Sequence, residues 1–448
     1  MFDGRGPGHE CLARGSVIIG DAAAIGAGIG FATSRKPPVW LERFSAVASA
    51  CRIYSASMNL SPHASLASEP VAAGPPLDWR RLRRIIVLRA LYLGDMLCAV
   101  PALRAMRRAA PAARITLAGL PWACEFAARF RKYIDEFIEF PGFPGLSEQP
   151  CAADALSAFL TAVQQRKFDL AVQLHGSGIT SNVAVALFGA ARTTGYYAPG
   201  GYFPDPSMFL PYRAEGPEIR RNLLLVTATG AAPQGEHLEL PLYREDWNRL
   251  EQLLAGTPAR TEPYACLHAG AKWESRRWPA EKFAAVGQAL AADGLHLVLT
   301  GSQSEEALVG RLSGLLGAPH TNLCGRTDLG TLGALVRRAS LVVTNDTGMS
   351  HVAAATRTPS VVVVLGSDAD RWRPLDVRRH RMVLAECPCR PSAAPRCPYG
   401  TPCADRVSPL TVYAAAQGLL AEMVNRRTAP RPPALPSRRS AGGRVCVG

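Results

Sequence analysis

Leu341-Val342-Val343-Thr344-Asn345-Asp346-Thr347-Gly348-Met349-Ser350-His351 is the stretch that decides the fold. An apolar run of strand type ends near Thr344, small polar residues and a glycine follow, and an alanine-rich helical stretch runs on to Thr356. Strand, tight turn and helix in that order are the repeating unit of a parallel sheet with helices on its faces. Asp346 and Thr347 are residue types that cap a helix. The backbone N–H groups of Thr347, Gly348 and Met349 then point outward at the positive end of the helix, which suits an anion such as a diphosphate. Gly348 permits close approach to the backbone, and His351, nearly one turn on, is placed to face the same ligand. A plainly capped helix with a packed histidine explains Asp346 but not the whole run.

The same alternation extends in both directions. Downstream come a strand over 360–365 and a last helix over 409–425. Upstream, the pattern predicts a strand over 264–268, a helix over 279–292, a strand over 296–300 and helices over 304–316 and 329–339. Earlier still, strands over 84–88, 114–120, 136–140 and 170–174 alternate with helices over 95–109, 122–130, 152–165 and 179–188. Glycine and proline thicken over 198–217, and 231–241 reads as a linker. The expected architecture is therefore α/β: two Rossmann-like domains, 81–240 and 241–425, facing across a cleft. Ligands of such sheets bind beyond the carboxyl ends of the strands. Residues 1–80 show no such alternation and read as a poorly ordered, irregular extension, and 426–448 as a disordered basic tail. Gly26-Ala27-Gly28-Ile29-Gly30 lacks the spacing of a dinucleotide-binding loop, because Phe31 stands where a glycine or alanine is needed.

Chemistry is then sought just after each strand. The first strand exits through Arg89-Ala-Leu-Tyr-Leu-Gly94-Asp95. Gly94 allows a tight turn, and Asp95 falls at the helix N-cap or in its first turn. One reading is a cap that satisfies orphan N–H groups; the other is a carboxylate general base at the cleft edge. The second unit opens with His268-Ala-Gly270-Ala-Lys272-Trp-Glu-Ser-Arg276-Arg277-Trp278-Pro279. Three cations in a loop at a strand's carboxyl end suit phosphate oxygens, although a basic surface loop is equally expected in so arginine-rich a chain.

In this order and spacing, these pieces resemble glycosyltransferase family 9, the lipopolysaccharide heptosyltransferase family. The resemblance covers residues 84–425. It is carried by Gly94-Asp95 with Pro101-Ala-Leu, by His268 and Arg276-Arg277-Trp278-Pro279-Ala-Glu-Lys-Phe, by Leu299-Thr-Gly301 with Glu305, and by 345–351. It implies a GT-B fold and inverting transfer of a sugar, a heptose being one candidate, from a nucleotide-diphosphate donor to a hydroxyl of a glycan or lipid-linked acceptor, with no further cofactor. It makes Asp95 the general base, with Gly94 on the acceptor side. It sets His268, Lys272, Arg276, Arg277, Asp346, Thr347, Gly348 and His351 around the donor, and Glu305 against its nucleoside or ribose. The small residues Ala269-Gly270-Ala271 after His268 depart from the hydroxyl residues that family members using ADP-heptose often carry there.

Composition narrows the classes. The chain has 448 residues, 48% of them hydrophobic, enough for two full cores and too many for wholesale disorder. Its net charge is +14, but only five of its 50 basic residues are lysines, and six arginines fall in the last 23 residues, which hold no acid. Such a surface is compatible with nucleic acid, an anionic membrane or phosphorylated substrates. Without a spanning helix or an export signal, the chain is expected in the cytoplasm, touching the inner face of the membrane transiently. Among the twelve cysteines, Cys387, Cys389, Cys397 and Cys403 lie close together. Their C-x-C-x7-C-x5-C spacing lacks the paired arms of common zinc sites, so structural zinc or a redox pair is a secondary reading; that the reaction needs no metal is what the GT-B resemblance implies. Two competing functions are a non-catalytic sugar-nucleotide-binding protein of the same fold and a basic nucleic-acid-binding protein, which only the tail supports.

Overall fold

The computed structural model describes residues 77–392, 394–397, 399–400 and 402–428. The expected extension over 1–80 and tail over 426–448 lie almost wholly outside these. In chain order, the first half comprises β1 (Arg84–Leu88), α1 (Leu93–Ala109), β2 (Arg114–Gly119), α2 (Ala123–Arg129), β3 (Glu136–Glu139), α3 (Ala153–Gln165) and β4 (Leu170–Gln173). It continues with α4 (Ser181–Ala186), β5 (Arg192–Tyr197), β6 (Phe209–Pro211) and α5 (Glu218–Ala228). The second half comprises α6 (Arg244–Leu253), β7 (Tyr264–His268), α7 (Ala280–Ala292), β8 (His296–Leu299), α8 (Glu306–Leu315), β9 (His320–Asn322) and α9 (Leu329–Arg338). It ends with β10 (Leu341–Asn345), α10 (Gly348–Thr356), β11 (Ser360–Val364), α11 (Ala369–Trp372), β12 (His380–Leu384), α12 (Pro402–Asp405) and α13 (Pro409–Thr428).

Each half holds one six-stranded parallel sheet, ordered β3-β2-β1-β4-β5-β6 and β12-β11-β10-β7-β8-β9. Counted within its own half, the second order is the first one repeated. Strands such as Ile85–Leu88 and Val361–Val364 are almost solvent-free because helices cover both faces, which is why they read as apolar runs. In each sheet the strand order reverses at one place, between β1 and β4 and between β7 and β10. The crevice beyond the carboxyl ends there is where an open α/β sheet takes its ligand. Leu88 pairs with Gln173 at the first crevice and Thr344 with His268 at the second. The segments singled out from the sequence leave the sheets at these two points.

The halves share an apolar core. Leu97, Val100 and Leu103 of α1 belong to one buried cluster with Met349, Val352 and Ala353 of α10. At about 1.5–3 kcal/mol for each large side chain removed from water, this contact holds the two crevices together. The predicted linker 231–241 contains no helix or strand, yet Leu238 and Leu240 are buried in the same cluster. No described helix is long and apolar enough to cross a membrane.

Candidate active site

Arg89, at the end of β1, is buried and stitches the first crevice together. Its Nε and Nη2 donate to the Asp95 carbonyl oxygen at 2.9 and 2.6 Å. Its Nη1 donates to the Leu174 carbonyl and, at 3.2 Å, to Asn222 Oδ1. Its Nη2 also lies 3.5 Å from Glu218 Oε1. Glu218 opens α5 and is 3% exposed. It takes Arg221 from its own helix and Arg371 of α11, from the other half, at 3.1 Å. Burial pushes the Glu218 carboxyl up, but Arg89, Arg371 and Arg221 outweigh it and hold it below the usual carboxylate range.

This cage frames Asp95. The helix starts at Leu93, two residues earlier than its sequence pattern suggests, so Asp95 is its third residue and Tyr92 is the N-cap. Asp95 therefore does not cap the helix. Its carboxylate is half-buried and has no hydrogen-bond partner among the described residues. Burial raises its pKa, opposed by Arg89, while the nearby Glu218 charge adds to the rise. A raised, unpartnered carboxyl at a sheet crevice has the character of a proton acceptor. His175, after β4, is buried on the same side; its Nδ1 accepts from the Ala90 N–H at 3.2 Å and its Nε2 lies 3.7 Å from Glu148 Oε2.

The second crevice carries the cations. Arg276 ends a single 3-10 turn, Glu274–Arg276, and lies over the Trp273 ring at 4.5 Å. Its Nε is buried and has no hydrogen-bond partner among the described residues. Burial lowers its pKa, opposed by the charges of Asp346 and Asp95. Arg277 differs: its Nε donates to the Ala271 carbonyl at 2.8 Å and braces the loop. Lys272 is exposed and reaches across to the first half, with Nζ 2.7 Å from the Tyr92 hydroxyl and 3.9 Å from that ring's centre. His268 lies 3.1 Å from Thr300 Oγ1, and burial lowers its pKa. Glu305 accepts from the Ser302 N–H and Oγ at 2.8 and 2.9 Å. Its Oε1 lies 2.0 Å from where a Cβ on residue 270 would stand, so a side chain there would displace the Glu305 carboxylate.

At the start of α10 the cap is Thr347 alone, accepting from the Met349 N–H at 3.4 Å. Asp346 does not share it. Its backbone is still paired to β11, and its buried carboxylate accepts from Ser367 Oγ at 2.5 Å. Burial raises its pKa. Asn345 ties the two loops, its Oδ1 accepting from the Trp278 N–H at 3.0 Å and its Nδ2 donating to the Ala269 carbonyl at 2.8 Å. His351 is 3% exposed and packs between the halves, with Nδ1 3.5 Å from Cys98 Sγ and the Trp372 ring edge-on at 6.2 Å. It faces α1 and Gly94 rather than open solvent.

The structure thus gathers Asp95, Gly94, Lys272, Arg276, Asp346, Thr347, Gly348 and His351 around the facing crevices, with His268 and Glu305 at the outer side of the second. Sequence analysis missed Glu218, Arg371, Tyr92, His175 and Asn345. Pro217-Glu218, a helix-start signal, was the available hint for the first. Of the four grouped cysteines, Cys387, Cys389 and Cys403 bring their sulfur atoms within 4.8 Å of one another; Cys397 is not among them.

The fold has known counterparts. The family model described as glycosyltransferase family 9 (heptosyltransferase) matches residues 157–401. The chain is 24% identical to lipopolysaccharide heptosyltransferase 3 of Escherichia coli over 297 residues, 63% of this chain and 84% of that protein. The glycosyl transferase family 9 structure from Veillonella parvula superposes with a TM-score of 0.63 at 21% identity, over 77% of this chain and 98% of that one. The E. coli ADP-heptose lps heptosyltransferase II does so with a TM-score of 0.61 at 19% identity, over 77% and 100%. The two facing Rossmann-like sheets are therefore a GT-B fold, and the chain belongs to glycosyltransferase family 9, the heptosyltransferase family.

Proposed function

We propose that this chain is an inverting heptosyltransferase that moves a heptose from ADP-heptose, or a close nucleotide-diphosphate relative, to a hydroxyl of a lipopolysaccharide-type acceptor. The acceptor hydroxyl attacks the anomeric carbon from the side opposite the diphosphate. The new C–O bond forms as the bond to the diphosphate breaks, and the hydroxyl proton passes to Asp95. The departing diphosphate gains charge next to Arg276 and the first N–H groups of α10, which stabilise it where charge develops. Lys272, held at Tyr92, links the acceptor side to the donor side. Glu305 and the small residues 269–271 receive the nucleoside. The reaction takes place on the cytoplasmic face of the inner membrane, where a basic surface favours an anionic acceptor.

The observation that carries this reading is the pairing of a half-buried Asp95 carboxylate with an Arg276 whose buried Nε, like that carboxylate, has no hydrogen-bond partner among the described residues, and on which the Asp95 charge acts. A non-catalytic nucleotide-sugar-binding protein would have no use for the first of these. Incubation with ADP-heptose and a heptose-deficient lipopolysaccharide core separates the two. Release of ADP coupled to a heptose-sized mass gain of the acceptor is expected. Saturable ADP-heptose binding without transfer to any core acceptor contradicts the reading.

A further inference from the structure

The geometry points to a thiolate metal site at Cys387, Cys389 and Cys403, holding one thiophilic divalent ion, zinc or iron, outside the transfer chemistry. The three thiols are free. Cys387 and Cys389 sulfur atoms are 3.1 Å apart, Cys389 and Cys403 are 3.9 Å apart, and all three lie within 4.8 Å of one another. These separations straddle the edge of a tetrahedron with metal–sulfur bonds of about 2.3 Å, which is about 3.8 Å. They exceed an S–S bond of about 2.05 Å. Three soft sulfur ligands select zinc or iron over calcium or magnesium. On binding, each thiol releases its proton to solvent as a metal–sulfur bond forms.

The surroundings give the ion a task. Arg390 and Arg406 donate to the carbonyls of Ala385 and Glu386 and brace the chain just before Cys387. Cys403 is buried in the core of the second half, and Cys387 and Cys389 pack against that core. Between β12 and Pro402 the chain has no described helix or strand. Yet this loop grips the donor side at several points. The Ser275 N–H donates to the Pro395 carbonyl at 3.0 Å, and Ser275 Oγ to the Ala394 carbonyl at 2.6 Å. The Ser392 N–H donates to the Gly366 carbonyl at 2.7 Å, beside the serine that holds Asp346. Just past Cys403, Trp278 Nε1 and Lys282 Nζ donate to the Val407 carbonyl at 3.2 and 3.1 Å. A metal joining Cys387 and Cys389 to Cys403 closes the loop that braces Arg276, and a metal clip recovers the entropy of closing such a segment.

The test uses the full chain purified under reducing conditions with zinc and iron supplied. Elemental analysis is expected to find about one zinc or iron per chain in the wild type. The ion should be lost from Cys389→Ser and Cys403→Ser and kept by the exposed-site control Cys124→Ser. Should the serine variants fail to fold, wild-type protein stripped by a thiol-directed mercurial and reloaded with Co2+ provides the second reading. A thiolate-to-cobalt charge-transfer band is expected after reloading. Metal-free wild type with no charge-transfer band, or an ion that persists in both serine variants, overturns the proposal. So does recovery of these cysteines as a disulfide in protein that binds no ion. None of these readings depends on transferase activity, so failure of this site and failure of the proposed function are told apart.

Discussion

Gly94 and Gly348 face each other across the two halves: a Cβ on Gly94 would stand 3.4 Å from the Gly348 Cα and 2.7 Å from His351 Cδ2. The start of α1, which carries Asp95, and the start of α10 approach this closely because Gly94 has no side chain to strike the His351 ring. The contact is asymmetric. A Cβ on Gly348 meets nothing nearer than 3.5 Å. Gly94→Ala should therefore push α1 and His351 apart and cost about 1–3 kcal/mol by overpacking. Gly348→Ala should cost less than about 1 kcal/mol, because helix propensity favours alanine and the space exists. Urea unfolding of the two variants checks this ordering, and equal stabilities would contradict it.

Arg276 and Arg277 are adjacent, but the structure separates them. Arg276 has a buried Nε with no partner among the described residues, whereas Arg277 spends its Nε on the Ala271 carbonyl. A charge-assisted hydrogen bond contributes about 1.5–3 kcal/mol, so Arg276→Ala should weaken ADP binding by tenfold or more. Arg277→Ala should act mainly on loop stability, with a smaller loss of affinity. Isothermal titration with ADP on both variants measures the difference, and an unchanged Arg276→Ala affinity would remove Arg276 from the diphosphate.

These residues differ in how far the sequence betrayed them. β1, β4, β7, β10 and β11 were legible because buried parallel strands write themselves as apolar runs, and the reversal points fall where those runs end. Strand β5, Arg-Thr-Thr-Gly-Tyr-Tyr, has no such run, and β6 is three residues long at the sheet edge. Helix α6 was missed because half of its residues are charged and it buries only Asp246 and Leu250. The Asp346 carboxylate looked like a cap because local spacing permits it, and only the fold brings Ser367 within reach. The Arg89–Glu218–Arg371 cage joins positions 129 and 153 residues apart, which no local pattern encodes.

Two buried histidines make stability depend on acid. Burial lowers the pKa of both His351 and His380 from the usual 6.5 to about 4. Their rings stay neutral in the folded chain where the unfolded chain has already taken up protons. The unfolded state thus binds more protons between about pH 6.5 and pH 4, so stability falls as the pH drops through that window and levels off below it for these groups. Each ring accounts for roughly 3 kcal/mol across the window. His351→Gln should flatten the dependence of unfolding midpoint on pH by about half of the two-ring slope. A slope identical to wild type would show that His351 is not held neutral.

The central claim is that Asp95 accepts the acceptor hydroxyl's proton, and turnover by Asp95→Asn tests it most directly. Asparagine keeps the shape, and since Asp95 caps nothing, the fold and ADP affinity should be retained. Burial holds the wild-type carboxyl above its ordinary pKa, so activity should fall as the pH drops through that raised value. General-base catalysis contributes about 10²–10⁴-fold, so heptose transfer from ADP-heptose to a heptose-deficient lipopolysaccharide core should fall by that order in Asp95→Asn, with ADP binding unchanged. Transfer by Asp95→Asn within a few-fold of wild type, with the same pH dependence, would contradict the account.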